Sequence, residues 1–222
     1  MAADIDPIVF KVVESRAVLA PLQNTVYLVE DGWDDWFTYS TMYSLVAFDS
    51  KKVRQRVGSV KIGQFGMTSN SGKRRPNLPK EFTDLDDSFF SLGQDADYYE
   101  TLNGLEEFLR DAILEVLRDF AADLSIWEKA KSEDVTRLSL TRGISRTEVE
   151  GQLHRIANGG VRLTPYHFTY TAPKRTQRGQ EEVRMEFDVE PESFPPTNIH
   201  VLIGRNGVGK THTFNLMVKA LV

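Results

Sequence analysis

Residues 199–222 read IHVLIGRNGVGKTHTFNLMVKALV, and the fold predicted for the C-terminal part of the chain rests on this stretch. Residues 199–204 form an almost unbroken apolar run, which is typical of a strand buried on both faces. Apolar residues then recur with helical spacing at Phe214, Met217, Val218 and Leu221. The sequence therefore predicts a strand, a glycine-rich loop and a helix in succession.

The loop between these two elements, GRNGVGKT at residues 204–211, has the composition of a phosphate-binding site. Its glycines allow backbone N–H groups to turn inward without a side chain in the way. A helix that begins near Lys210 adds unpaired N–H donors, and the lysine can reach the β- and γ-phosphates of a nucleotide. The Thr211 hydroxyl is a hard oxygen suited to Mg²⁺. The alternative is a glycine-rich turn that binds nothing.

GRNGVGKT also resembles the G-x-N-G-x-G-K-[ST] form of the P-loop, or Walker A motif, of ABC-type ATPases. These include the SMC, RecF and OLD-like groups, often described as AAA family ATPases. Their P-loop follows an antiparallel hairpin, and HFTYTAP with EVRMEFDVE is similar, so the resemblance covers about residues 160–222. It implies ATP and Mg²⁺ as cofactors, with Thr211 as the metal ligand. The implied nucleotide-binding residues are Gly204, Asn206, Gly207, Val208, Gly209, Lys210, Thr211 and His212.

Some positions depart from the family pattern or remain open. His212 stands where many relatives have a second Ser or Thr near the α-phosphate, and Arg205 stands where proline or glutamate is common. Phe187 lies at about the distance before Lys210 at which some ABC transporters stack an aromatic ring on adenine. It also belongs to the apolar face of its strand, so both a core role and a base contact are open.

The resemblance implies further motifs that lie downstream of a P-loop, above all the signature motif and the Walker B acid pair. Only residues 212–222 follow Thr211 in this chain. We therefore expect it to be the N-terminal part of a longer ATPase, with no catalytic residue of its own and no turnover when alone. The intact protein is expected to be a hydrolase.

The same resemblance implies a function and partners for the intact protein. It would be an ABC- or SMC-like machine that uses ATP as a conformational switch in DNA repair or antiviral defence. A second ATPase head in a homodimer and an effector protein are the implied partners, and DNA is a further candidate. The alternative is a non-hydrolysing, nucleotide-sensing adaptor whose β-rich domain binds a protein partner.

The N-terminal part predicts a different architecture. Residues 1–160 are expected to form a β-rich accessory domain with a helical segment over about 101–158, and residues 161–222 the start of the ATPase domain, which gives an α+β fold. Four apolar or alternating runs predict an antiparallel meander: PIVFKVVE, TVYLVE, FTYSTMYSLVAFD and GSVKIGQFG. One helix is predicted from Leu105 to Leu124, and a second after a capping box at Ser145 and Glu148.

Composition excludes several function classes. The chain has 222 residues, a net charge of −5 and no cysteine, so disulfides and thiolate metal sites are excluded. No apolar run approaches the about 20 residues of a membrane-spanning helix, so a cytoplasmic protein without a membrane partner is expected. The aspartates of DGWDDW and DLDDSFF are expected in solvated turns. A basic loop with Lys73, Arg74 and Arg75 is either solvated or in contact with a phosphate backbone.

Overall fold

The computed structural model describes residues 7–32, 38–68, 74–173, 183–191, 193 and 195–221. The protein is of the mixed α+β class. Its chain divides into two compact units, Met1–Arg162 and Leu163–Val222. Across the described ranges, no helix combines the length and the apolar character needed to cross a bilayer.

The first unit is built on a curled six-stranded sheet. Its strands are β1 (Val9–Val13), β2 (Thr25–Glu30), β3 (Met42–Phe48), β4 (Arg54–Gln64), β5 (Glu81–Phe82) and β6 (Phe89–Gly93). They lie in the order β5-β1-β2-β3-β4-β6. The prediction of an antiparallel meander is wrong for the first two strands, because β1 and β2 run parallel. The long connection 14–24 returns the chain to the opposite end of the sheet, which a tight hairpin turn cannot do.

Helices follow the strands and cover one face of this sheet. They are α1 (Ala96–Asn103), α2 (Glu107–Val116), α3 (Leu124–Ala130), a π-helical turn (Thr136–Leu140), α4 (Arg146–Glu148), a second π-helical turn (Val149–Leu153) and α5 (His154–Ala157). Their apolar side chains join those of the strands in one core, which includes Leu28, Leu45, Ile62, Phe90, Tyr99, Ile113 and Leu153. The opposite face carries a smaller cluster of Tyr27, Val46 and Phe48.

The prediction of a single helix from Leu105 to Leu124 is wrong, because α2 ends at Val116. Arg118 adopts a left-handed conformation with φ 53°, and the Asp119 N–H donates to the Leu114 carbonyl 2.9 Å away. Such a pattern terminates a helix, usually with glycine in the left-handed position. The Ser91 N–H then donates to the Arg118 carbonyl, so β6 holds the chain after the break. Apolar periodicity continues across the break because Phe120 and Ala121 still face the core.

The second predicted helix is confirmed as a continuous helical segment from α4 through α5. The Glu148 N–H donates to the Ser145 hydroxyl 3.1 Å away, as the capping box predicts. Gly159, at φ 82°, supplies the left-handed residue after the last turn.

The described residues of the second unit form a hairpin and one helix. Strands β7 (Tyr166–Thr171) and β8 (Arg184–Val189) pair antiparallel, and α6 (Lys210–Leu221) follows the glycine-rich loop. The predicted alternation of β8 is confirmed: Met185, Phe187 and Val189 are the less exposed positions, and the charged residues between them are exposed. Phe168 and Phe187 lie opposite each other and stack with their ring centroids 4.5 Å apart.

The strand predicted at residues 199–204 is not formed in this structure. In the described part of this unit, the only strands are β7 and β8, and they pair with each other. Residues 199–204 therefore have no ladder partner, and a strand requires one to satisfy its backbone groups. Their side chains face solvent, with Val201 76% and Ile203 88% exposed. The apolar composition identified a segment suited to burial, but the described residues offer no sheet that buries it.

Candidate functional site

The glycine-rich loop has backbone geometry that favours glycine at two positions. Gly207 has φ 85° and Gly209 has φ 96°, both in the region that other residues rarely adopt. A Cβ atom built on Gly207 would meet nothing within 4 Å, so the backbone there is open to approach. Where left-handed residues alternate with right-handed ones, successive backbone N–H groups can point toward one side and form an anion-binding concavity.

The Lys210 side chain folds back over this loop. Its Nζ donates to the Gly204 carbonyl oxygen at 2.6 Å and to the Arg205 carbonyl oxygen at 3.0 Å. The ammonium therefore lies beside the loop whose N–H groups would face a phosphate. An anion that binds there gains a cation at short range but competes with two carbonyl oxygens for it.

The remaining predicted ligand residues lie in or beside the first turn of α6. The Thr213 N–H donates to the Gly209 carbonyl at 2.9 Å and begins the helical hydrogen bonding. The first N–H groups of a helix have no intrahelical acceptor and carry a partial positive charge. Thr211 and His212 are exposed at this end of the helix, as are Asn206 and Val208 in the loop. The donor set fits a phosphate, and the Thr211 hydroxyl fits one coordination position of Mg²⁺.

A cavity of about 570 Å³ lies in the same unit, between the hairpin, residues 198–202 and α6. Its walls are mainly apolar and aromatic, and include Phe168, Met185, Phe187, Val201, Phe214 and Met217. One face of Phe187 stacks on Phe168, and His200 packs at right angles to it with a centroid distance of 4.8 Å. Phe187 thus belongs to an aromatic cluster of its own unit, and its role toward adenine stays a hypothesis.

Other predicted candidates do not join this site. In DLDDSFF, the Asp86 carboxylate accepts the Ser88 N–H at 2.8 Å, and Asp87 pairs with Arg118 at 2.8 Å. The Asp86 carboxylate thus stabilises a turn, and the Asp87 carboxylate forms an ion pair. Most of DGWDDW lies outside the described residues.

The predicted basic loop is only partly available to a ligand. Arg75 donates to the Asp31 carbonyl at 2.9 Å and lies 6.0 Å from the Tyr43 ring centroid, so its guanidinium is used within the fold. Lys73 lies outside the described residues.

One polar cluster was not predicted from the sequence. The Asp119 carboxylate is 1% exposed and accepts hydrogen bonds from the Tyr99 hydroxyl and from backbone N–H groups of Gly93, Ala121 and Ala122. Burial raises the pKa of Asp119 to about 6, although these hydrogen bonds act in the opposite direction. All of these donors come from its own unit, so this carboxylate joins β6 to the end of α2. No sequence motif marks such a residue.

Known proteins include a bacteriophage relative of this chain. No protein-family model matches the chain, and no solved structure matches it. The chain is similar to protein ea59 of Escherichia phage lambda, with 33% identity over 213 residues. The matched region covers 96% of this chain but 40% of the phage protein, so the chain spans about two fifths of the length of that relative.

Proposed function

We propose that this chain is the N-terminal part of an ABC- or SMC-like ATPase and that residues 204–212 bind Mg²⁺-ATP. The observation that carries the proposal is local: Gly207 and Gly209 take positive φ directly before α6, with the Lys210 ammonium against the same loop. Glycine backbone, helix N-terminus and lysine are the three parts that a nucleotide's phosphates require together.

Each residue has a distinct role in the proposed complex. The N–H groups of the glycine loop and of the first turn of α6 donate to phosphate oxygens. Lys210 exchanges the Gly204 and Arg205 carbonyls for phosphate oxygens. Because a phosphate oxygen carries negative charge and a carbonyl oxygen does not, this exchange adds an attraction between opposite charges and favours the bound state. Thr211 gives its hydroxyl oxygen to the metal. Bound Mg²⁺-ATP supplies the energy difference that a conformational switch needs.

The exposed apolar segment at residues 199–203 supports the same proposal. Ile199, Val201, Leu202 and Ile203 are between 49% and 88% exposed, although the composition is that of a buried strand. In an ATPase head this segment would be a central strand that carries the P-loop at its end, and additional strands would bury it. For the whole protein, we propose that two ATPase heads form a homodimer and act with an effector protein. The proposed setting is DNA repair or antiviral defence.

Titration with Mg²⁺-ATP tests the nucleotide site. We expect Lys210→Ala to weaken binding at least tenfold, the change that loss of about 1.4 kcal/mol produces. Lys219→Ala is the matched control, since Lys219 is an exposed lysine in the last turn of the same helix. Thr211→Ala should weaken binding in the presence of Mg²⁺ and have little effect in EDTA. Equal affinity of the wild type and Lys210→Ala would refute the role of the loop.

Phosphate release separates binding from catalysis. In ABC-type ATPases the Walker B acid pair, which orients the attacking water, lies well downstream of the P-loop. We expect binding without turnover in a phosphate-release assay on the chain alone. Steady release that is abolished by Lys210→Ala would contradict this part of the proposal.

A further inference from the structure

The turn between β3 and β4 carries an unusual concentration of positive charge. Within residues 51–56, Lys51, Lys52, Arg54 and Arg56 are all exposed. Within the part of the chain that the structure describes, their side chains make no hydrogen bond and no ion pair. This sets them apart from Arg75, whose guanidinium is used inside the fold. The four side chains form what we call the basic hairpin, in a chain with a net charge of −5.

The basic hairpin is held in one conformation by its own turn. The Asp49 carboxylate accepts the N–H groups of Lys51 and Val53, both at 2.8 Å. The Lys52 N–H donates to the Asp49 carbonyl, and Lys52 takes φ 62°. Glycine is the usual residue at such a position, so a lysine there adds a charge at some conformational cost.

Neighbouring elements also hold this turn in place. Gln23 donates its side-chain amide to the Ser50 carbonyl at 2.8 Å, and the Ser50 hydroxyl donates to the Glu106 carboxylate at 3.1 Å. The carboxylates of Asp49 and Glu106 are thus engaged in the turn and its support. Residues 50–56 themselves hold four cations and no acidic residue, so the basic hairpin is positively charged.

The strand that follows presents its cations in a regular array. Arg54 pairs with Phe48 and Arg56 pairs with Val46, so the two arginines lie on one face of the sheet. Residues two apart in a strand are separated by about 6.6 Å. On its other side, β4 pairs with β6 only from Val60 to Gln64, so the edge at residues 54–57 is free of a second strand in the described structure. No further strand therefore covers the exposed Arg54 and Arg56 on this side.

We propose that the basic hairpin binds the phosphate backbone of a nucleic-acid duplex. Arginine recognises phosphate oxygens through paired N–H donors, and lysine adds point charges at the tip. Residues 50–56 include no aromatic side chain, so they lack the stacking surface on which proteins bind single-stranded bases. The contact would position a duplex without reading its sequence. It involves neither the nucleotide loop nor Lys210, so it stands independently of the proposed ATP site.

Fluorescence anisotropy with a labelled DNA duplex tests the proposal on the full chain, without nucleotide. The test variant is Lys51→Gln/Arg54→Gln/Arg56→Gln, and the matched control is Arg16→Gln/Lys80→Gln/Lys129→Gln. The control removes the same charge from exposed residues outside the hairpin. At low salt we expect the test variant to bind at least tenfold more weakly than the control. For the test variant, the slope of log K against log salt concentration should be smaller in magnitude by about 2.7. Each of the three lost phosphate contacts contributes about 0.9 to this slope.

Several outcomes would overturn the proposal. They are no binding by the wild type at low salt, equal losses in the test and control variants, and an unchanged salt dependence in the test variant. A single-stranded DNA that competes better than the duplex would overturn the duplex assignment. The thermal unfolding temperature of both variants is measured as a folding control. If it equals that of the wild type, a loss of binding does not result from unfolding. Competition with a duplex RNA is measured as well. Equal competition by duplex DNA and duplex RNA supports a contact to phosphate alone.

Discussion

The two units of the chain differ in how much of their apolar surface they bury themselves. In Met1–Arg162, Phe10, Leu28, Ile62 and Phe90 are fully buried in one continuous core. In the described residues of Leu163–Val222, only Tyr170 and Val189 are buried, while several large apolar side chains are exposed. Burial of apolar surface is the main favourable term in folding, so most of the stability of the chain resides in the first unit.

This difference indicates separate tasks for the two units. The first unit has the core of an independent domain and can present the basic hairpin from a rigid sheet. The described residues of the second unit form one hairpin, one helix and a small aromatic cluster. An isolated two-stranded hairpin is marginally stable in water. The loop that we propose to bind a nucleotide lies in this less stable unit, and the elements that move on ligand binding are drawn from regions of low local stability.

Amide hydrogen exchange is expected to show the largest difference between the two units. We expect the amides of β3 to exchange at least about 10³-fold more slowly than those of β8, because opening β3 disrupts the core and opening β8 does not. Mass spectrometry of peptides from both strands measures the ratio. Comparable protection of β8 would show that the second unit is stabilised by contacts beyond those described.

A matched pair of isoleucine substitutions tests the difference between the two units at single residues. Ile62 is fully buried in β4, and Ile203 is 88% exposed. Ile62→Ala should reduce the free energy of unfolding by about 4 kcal/mol, through lost burial and a cavity. Ile203→Ala should change it by less than about 0.5 kcal/mol. Urea unfolding followed by tryptophan fluorescence reports both values, and similar losses in the two variants would contradict the assignment of stability to the first unit.

The buried Asp119 is expected to have a somewhat smaller effect. Asp119→Ala leaves the Tyr99 hydroxyl and three backbone N–H groups without their acceptor, at a cost of about 3 kcal/mol. Asp123 is the control, because it only caps α3 by accepting the Ser125 N–H. Asp123→Ala should cost about 1 kcal/mol. Equal unfolding midpoints for the two variants in urea would argue against a central role for Asp119.

The same carboxylate makes the first unit sensitive to pH. Because burial raises the pKa of Asp119 to about 6, the folded state binds its proton more tightly than the unfolded state, in which the carboxyl has its ordinary pKa of 3.8. This contribution to stability is therefore greatest below pH 4 and is lost as the pH rises through 6. From pH 7 to 4, the wild type should gain about 2 kcal/mol relative to Asp119→Asn. Parallel pH profiles of the two proteins would rule out this titration.

The sequence predicts those features that depend on local pattern. Alternation and apolar runs identify β1 to β4 and β8, and the capping box at Ser145 marks the start of α4. The spacing of GRNGVGKT places the two left-handed glycines and α6 in the right order. These features are fixed by residues near one another in the chain, so a single sequence carries enough information to predict them.

The features that sequence reasoning missed depend on distant residues. Alternation does not encode the direction in which a neighbouring strand runs, so the parallel pairing of β1 and β2 was not predicted. Arg118 ends α2 without the glycine that normally signals such a stop, because β6 holds the chain there. For residues 199–204, composition predicts a tendency to be buried, whereas strand formation also needs a partner.

The position of β1 between β2 and β5 affects how the protein emerges from the ribosome. Phe10 pairs with Val26 on one side and with Phe82 on the other. The first strand is thus translated long before one of its two partners exists. A nascent chain that pauses ahead of β5 exposes unsatisfied edges at both ends of a partial sheet, a state prone to association with other chains. Slow translation of this region would lengthen the time during which chaperones are needed.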